Sequence, residues 1–342
     1  MAEKEAELLC IGNALVDVFA RGNERLAARY GISRPVQHVE IEKLKELLSF
    51  IPEYNAVSGG GAANVAKIAG FLGAKVIFSG AIGAGPDEFG MIFERELKAA
   101  GVKLRLSLKN APTGICLFLN CGYETRIAAS PSAAFQLSES DINEEELRKA
   151  RVVVIDGFML DRPGLVRHIL DMADKCGTVA ALDLSSPFMA REHAPEIADY
   201  IRRQALIVFM NQAEAAAFYA GITNEEPETG DEAFLSQKLC TFFGSMTAGS
   251  SFPIVVIKLG ERGSMVFAGD KNYKAGTLAV KPRDVTGAGD TFAAAFLTAW
   301  VKNRSLSDCA ALGNKAARVI LDVAGTQVDG EKFKDIVNLK TN

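Results

Sequence analysis

Six short, uninterrupted apolar runs restrict what this chain can fold into: residues 8–11, 76–78, 152–155, 179–182, 207–210 and 254–257. A strand with one face in water alternates apolar and polar residues, so a continuous run predicts a strand covered on both faces. Between the runs lie segments of helical periodicity, at 62–72, 88–100, 143–150, 165–175, 196–203, 214–220 and 232–243. Strand and helix in alternation predict an α/β fold with a doubly wound, mainly parallel sheet. Such sheets bind ligands beyond the carboxyl ends of their strands. Three runs close there on a polar residue: Asp156, Asp183 and Asn211.

Two stretches break the alternation, about 13–40 and about 112–130. In the second, apolar residues 115–119 and residues 125–127 flank Asn120-Cys121-Gly122-Tyr123-Glu124, which reads as a hairpin around a glycine turn. Neither stretch has a slot inside a parallel sheet. Both are expected in a small β lid over the strand ends, inserted into one α/β domain spanning 1–342. The acidic stretch 224–228 and residues 245–251 read as surface loops. A formal net charge of −4 supplies no field for nucleic acid or anionic lipid. The six cysteines lack Cys-x-x-Cys spacing, as expected of reduced thiols. The polar start, and the lack of any apolar run near the ~20 residues of a membrane span, predict a cytoplasmic protein.

The chemistry concentrates in Asp284-Val285-Thr286-Gly287-Ala288-Gly289-Asp290, which opens into the apolar run 291–300. The first turn of a helix presents backbone N–H groups without intrahelical partners, at the positive end of the helix dipole. Glycines leave those groups open to an anion, so Gly287, Ala288 and Gly289 form a candidate phosphate cradle. Beside it, Asp290 is placed to take a proton from an attacking hydroxyl. The same residues also suit a plain helix start with a tight turn. Elsewhere, Gly12-Asn13-Ala14-Leu15-Val16-Asp17 ends the first strand in groups that bind vicinal hydroxyls or form turns. Ser58-Gly59-Gly60-Gly61-Ala62-Ala63-Asn64 allows close backbone approach before a helix. Asn211-Gln212-Ala213-Glu214 puts a carboxylate in a first helical turn, and Lys258-Leu259-Gly260-Glu261-Arg262-Gly263 ends a strand in a glycine-bracketed turn.

These stretches, in this order, resemble the signatures of the ribokinase (PfkB) family of carbohydrate and nucleoside kinases. The resemblance runs from about residue 8 to about residue 327, and implies a ribokinase-like fold. It implies Asp290 as catalytic base, and Gly287, Ala288 and Gly289 as the anion hole. Asn13, Asp17, Gly60, Gly61 and Asn64 would hold the sugar. Asn211 and Glu214 would organise hydrated Mg²⁺. Lys258, Gly260 and Gly263, with Asn314 and Gly325 near the C-terminus, would bind ATP. Gly-Asn-x-x-x-Asp at 12–17, and Leu184-Ser185-Ser186-Pro187-Phe188, resemble the adenosine-kinase branch, which favours a nucleoside over a free sugar as acceptor. Phe118, Tyr123 and Phe135 are offered for stacking on a base. Lids of this family often pair, which leaves a homodimer open. Ser130-Pro131-Ser132 departs from the family pattern, and the role of Arg126 is undetermined. No Gly-x4-Gly-Lys-Ser/Thr occurs, no Gly-x-Gly-x-x-Gly follows the first strand, and the three histidines lack metal-ligand spacing.

Overall fold

Each apolar run divides its side chains between two cores. In the first strand Leu8 and Cys10 enter one layer, while Leu9 and Ile11 enter the other. Ile207 and Phe209 part from Val208 and Met210 in the same way. This period of two, with apolar residues on both faces, is why the runs are continuous. In the computed structural model, residues 4–33, 36–204, 206–227, 234–246, 252–323, 328–333 and 336 are described. The expected site residue Gly325 lies outside them, as do the starts of the segment 232–243 and most of the loop 245–251.

The main sheet takes β1 (Ala6–Ile11), β5 (Val76–Gly83), β6 (Lys103–Lys109), β9 (Ala150–Asp156), β10 (Val179–Asp183), β11 (Ile207–Asn211), β12 (Ile254–Lys258), β13 (Ser264–Ala268) and β14 (Lys271–Ala275). Their order is β14-β13-β12-β11-β10-β9-β1-β5-β6. From β12 to β6 every neighbouring pair is parallel, and β13 and β14 add an antiparallel hairpin at one edge. The chain winds outward from β1 through β5 to β6, then returns to β9 and winds the other way. That reversal puts the crevice of a doubly wound sheet between the ends of β1 and β9. Helices Gly61–Phe71, Ala288–Trp300 and Leu306–Ile320 belong to one core layer. Pro163–Lys175, Ala194–Gln204 and Gln212–Thr223 belong to the other. Residues 291–299 are all buried, with Phe292 and Phe296 edge-on to Phe209 of β11.

A second sheet has five strands in the order β3-β8-β7-β2-β4. It comprises β2 (Leu15–Arg21), β3 (Val36–His38), β4 (Tyr54–Gly59), β7 (Thr113–Asn120) and β8 (Thr125–Ser132). Strand β4 falls outside the stretches 13–40 and 112–130, so the sheet draws on more of the chain than the sequence suggested. Alternation again sorts its side chains. Val16, Val18, Ile115 and Leu117 are buried in the first core layer, whereas Leu15, Asp17, Cys116 and Phe118 line a cleft. Tyr123 sits fully exposed beyond β7 and does not line that cleft, so it is not placed to stack on a ligand there. Phe118 lines it but stacks on Phe19, with ring centroids 4.8 Å apart. Among the described residues no helix is long and apolar enough to cross a membrane.

Candidate active site

The carboxyl ends of the parallel strands and one face of the second sheet enclose a cleft of about 2060 Å³. A pocket for one drug-sized ligand is typically about 300–1,000 Å³, so this cleft has room for two ligands together. Into its middle opens the N-terminus of the helix Ala288–Trp300. Gly287 adopts a left-handed conformation with φ 75°, and no side chain caps the helix. Gly289 has the close neighbour: a Cβ there would lie 3.0 Å from Nζ of Lys258. An uncapped helix N-terminus with no side chains over it suits the phosphates of a nucleotide.

Asp290, in the first turn of this helix, meets a residue from the other end of the chain. Asn64 Nδ2 donates to Asp290 Oδ2 at 2.9 Å, across a separation of 226 residues. The Oδ1 atom of Asn64 is buried without a hydrogen-bond partner. A buried acceptor left unpaired is costly, and a ligand hydroxyl is the group that would satisfy it. Burial raises the Asp290 pKa to about 7, and the neighbouring charge of Asp183 adds to the rise. Asn64 and Lys258 oppose it. A carboxyl poised near neutrality beside an open cavity has the protonation behaviour of a general base.

Towards the second sheet the cleft is lined by Asn13, Asp17, Gly60 and Gly61. Asp17 is buried on β2, and desolvation raises its pKa to about 7, with Lys67 opposing and Glu96 reinforcing the shift. Lys67 Nζ donates to Ser58 Oγ at 2.9 Å and reaches Glu96 at 3.4 Å. The glycine run is required first by the protein's own groups. A Cβ on Gly60, at φ 97°, would fall 2.2 Å from the Asn13 carbonyl oxygen, and one on Gly59 would fall 2.3 Å from the Asp17 carboxyl. Asp156 accepts from the Ala62 amide at 3.0 Å and so holds the start of the helix Gly61–Phe71. Its own pKa is pushed up to about 6, chiefly by burial. Arg162, absent from the expected site, donates through Nη2 to Asn13 Oδ1 at 2.6 Å and through Nη1 to the Ala134 carbonyl at 2.9 Å. This fixes the Asn13 amide with its oxygen on the arginine, so Nδ2 is its donor for the cleft. Arg162 also lies over the Phe135 ring, 5.1 Å from its centroid. No strand-end signal marks Arg162 in the sequence, because it follows a short 3₁₀ turn, Gly157–Asp161.

At the opposite end stand Asn211, Glu214, Lys258, Gly260, Gly263 and Asn314. Asn211 and Glu214 close a reciprocal capping box. Asn211 Oδ1 accepts from the Glu214 amide at 2.8 Å, while Glu214 accepts from the Asn211 amide at 2.7 Å and from Asn211 Nδ2 at 2.8 Å. Burial raises the Glu214 pKa to about 7. Among the described residues no group of three or more His, Cys, Asp or Glu side chains is placed to hold a metal. One carboxylate already bonded to its neighbour suits Mg²⁺ held through waters rather than directly. Asn314 donates to the Ala275 carbonyl at 2.9 Å, which commits its amide to the protein backbone. Arg126 pairs with Glu24 at 2.8 Å and with Glu124, and does not line the cleft. Aromatic rings do line it: Phe135, Phe158 and Phe188 are 48%, 47% and 69% exposed, although each is large and apolar. Phe158 was not singled out in the sequence.

The model of the pfkB family carbohydrate kinases matches residues 33–332. An adenosine kinase of Schizophyllum commune is 25% identical, over 96% of this chain and 98% of its own. The solved adenosine kinase from Sinorhizobium meliloti superposes with a TM-score of 0.79 at 25% identity, covering 95% of this chain and 96% of that one. A solved probable sugar kinase from Rhizobium etli CFN 42 gives 0.81 at 25% identity, over 97% and 98%.

Proposed function

This chain belongs to the pfkB family of carbohydrate kinases, and we propose that it transfers the γ-phosphoryl group of ATP to the hydroxymethyl group of a nucleoside. The observation that carries this reading is the Asn64–Asp290 bond beside the uncapped helix N-terminus. It joins a base near neutrality, a vacant buried acceptor and an anion cradle within one cleft. Asp290 takes the proton of the hydroxymethyl group as its oxygen attacks phosphorus. Asn64 holds the Asp290 carboxylate and offers Oδ1 to a sugar hydroxyl. Asn13 donates and Asp17 accepts, a complementary pair for two neighbouring ribose hydroxyls. Backbone N–H groups from Gly287 to Gly289 hold the charge that builds on the transferring group. Mg²⁺, held through water by Glu214 and Asn211, would neutralise charge on the phosphates. The second sheet serves as a lid within a single domain, excluding water from this chemistry.

A nucleoside is favoured over a free sugar because Phe135, Phe158 and Phe188 expose rings in the cleft where a base can stack. The 25% identical adenosine kinases point the same way. A coupled ADP-release assay over adenosine, guanosine, inosine, ribose and fructose tests the proposal. Adenosine should exceed both free sugars in kcat/KM by at least about a hundredfold, since a free sugar forfeits every contact to the base. A sugar preferred over every nucleoside would overturn the nucleoside reading.

A further inference from the structure

Lys258 is a lysine held inside the protein at the end of β12, with its side chain only 14% exposed. Its ammonium donates to Asp183 Oδ2 at 2.7 Å, and the Asp183 side chain is 10% exposed. A buried ion pair is a poor stabilising device, because desolvating two charges offsets most of their attraction and an apolar pair of equal volume often does as well. Stability alone therefore gives little reason for a lysine at this position. Its surroundings give a better one.

The ammonium lies against the turn that opens the helix Ala288–Trp300, at 3.0 Å from the place a Cβ on Gly289 would occupy. Asp183, Glu214 and Asp290 all act on it, and together they overcome the effect of burial and raise its pKa. Among the described residues that line the cleft, the lysines and arginines are Lys258 and Arg318, and Arg318 stands on the helix Leu306–Ile320 rather than at the turn. The cleft thus places a single lysine charge at the point where an uncapped helix N-terminus would receive phosphate.

We propose that Lys258 is a catalytic residue of the phosphoryl transfer, its ammonium contacting the transferring group at the Gly287–Gly289 turn, with Asp183 as its counter-ion while the turn holds no phosphate. The proposal rests on the phosphoryl-transfer reading of this cleft. In the step itself the acceptor oxygen forms a bond to the γ-phosphorus as the bond from that phosphorus to the β–γ bridging oxygen breaks. The hydroxyl proton goes to Asp290, and Lys258 gives up no proton. Its part is electrostatic: charge developing on the equatorial oxygens meets a fixed cation in a site with little water. Because its stem is flexible, the ammonium can turn from the carboxylate of Asp183 to the phosphoryl group without backbone movement.

Lys258→Met leaves Asp183 buried and unpaired, so it is compared with the double variant Lys258→Met/Asp183→Asn, in which the pair is replaced by neutral groups. Titration calorimetry with Mg²⁺ and either ADP or the non-hydrolysable analogue AMP-PNP reads contact with the γ-phosphoryl position independently of turnover. Both variants should lose at least about tenfold more affinity for AMP-PNP than for ADP. Removing one donor to a developing anion costs about 10²–10³ in rate, and kcat should fall by that much. In Lys258→Ala, added propylammonium should restore at least about tenfold of the lost rate, a response that a purely structural lysine would not give. Equal losses for the two nucleotides, or kcat within about threefold of the wild type in the double variant, would overturn the proposal. Should the wild type phosphorylate none of the nucleosides or sugars, the acceptor reading fails, while the ratio of the two nucleotide affinities still decides the role of Lys258.

Discussion

The two ends of the cleft are built differently. Beneath the second sheet, the candidate residues are held by side chains from distant parts of the sequence: Arg162 on Asn13, and Asn64 on Asp290. Beside the turn that follows β12, most are held by local or backbone contacts, the Asn211–Glu214 capping box and Asn314 on Ala275, with the Lys258–Asp183 pair as the long-range exception. Long-range side-chain bonds fix donors and acceptors to within hydrogen-bond tolerance, which suits the recognition of particular hydroxyls. Local caps and glycine turns leave backbone N–H groups facing outward, which suits phosphates that are the same in every turnover. The difference matches the function proposed above, in which the hydroxyl acceptor takes the end under the second sheet and the nucleotide the other.

Variants at the two ends should therefore break different parameters. Asp290→Asn keeps shape and removes the base, so kcat should fall by about 10²–10⁴ while calorimetry finds ATP affinity little changed. Gly289→Val puts a side chain between the Lys258 ammonium and the cradle, and should cost about 2–4 kcal/mol of transition-state stabilisation. Loss of stability with specific activity intact would make the turn structural. Arg162→Met frees the Asn13 amide and should lower kcat/KM for the acceptor by about 1–3 kcal/mol with KM for ATP unmoved. An equal rise in both Michaelis constants would erase the proposed division. The smallest effect is expected from Glu214→Gln, which should raise the Mg²⁺ concentration for half-maximal rate by about tenfold. An unchanged titration would leave Glu214 as a helix cap alone.

What the sequence made legible follows the same physics. Strands buried on both faces announce themselves as continuous apolar runs, and β1, β5, β9, β10, β11 and β12 were found that way. The strand β6 alternates as Lys103-Leu104-Arg105-Leu106-Ser107-Leu108-Lys109, and β14 reads Lys271-Asn272-Tyr273-Lys274-Ala275. Both are edges with solvated residues, the pattern that discourages further pairing, and a search for apolar runs passes over them. The glycine turns of the cleft were visible because backbone geometry forces residue choice. Arg162 was not, since its partners Asn13 and Ala134 lie 149 and 28 residues away in the chain. Nor did the sequence show that Asn314 and Glu214 have hydrogen bonds within the protein itself.

The most direct test of the account is the pH dependence of kcat/KM for adenosine at saturating Mg²⁺ and ATP, measured in parallel for the wild type and Asp290→Asn. An isolated aspartic acid, at 3.8, is ionised throughout the range from pH 5 to 8, whereas burial and the charge of Asp183 raise Asp290 to about 7. The base works only when ionised, so wild-type activity should fall about tenfold per pH unit below 7 and level off above it. Asp17 and Glu214, which burial also raises to about 7, and ATP take up protons in both proteins, so the part played by Asp290 is read in the ratio of the wild-type rate to the residual rate of Asp290→Asn. The account predicts that this ratio falls with pH below 7 and levels off above it. The same limb in both proteins, or a flat wild-type profile from pH 5 to 8, would contradict it.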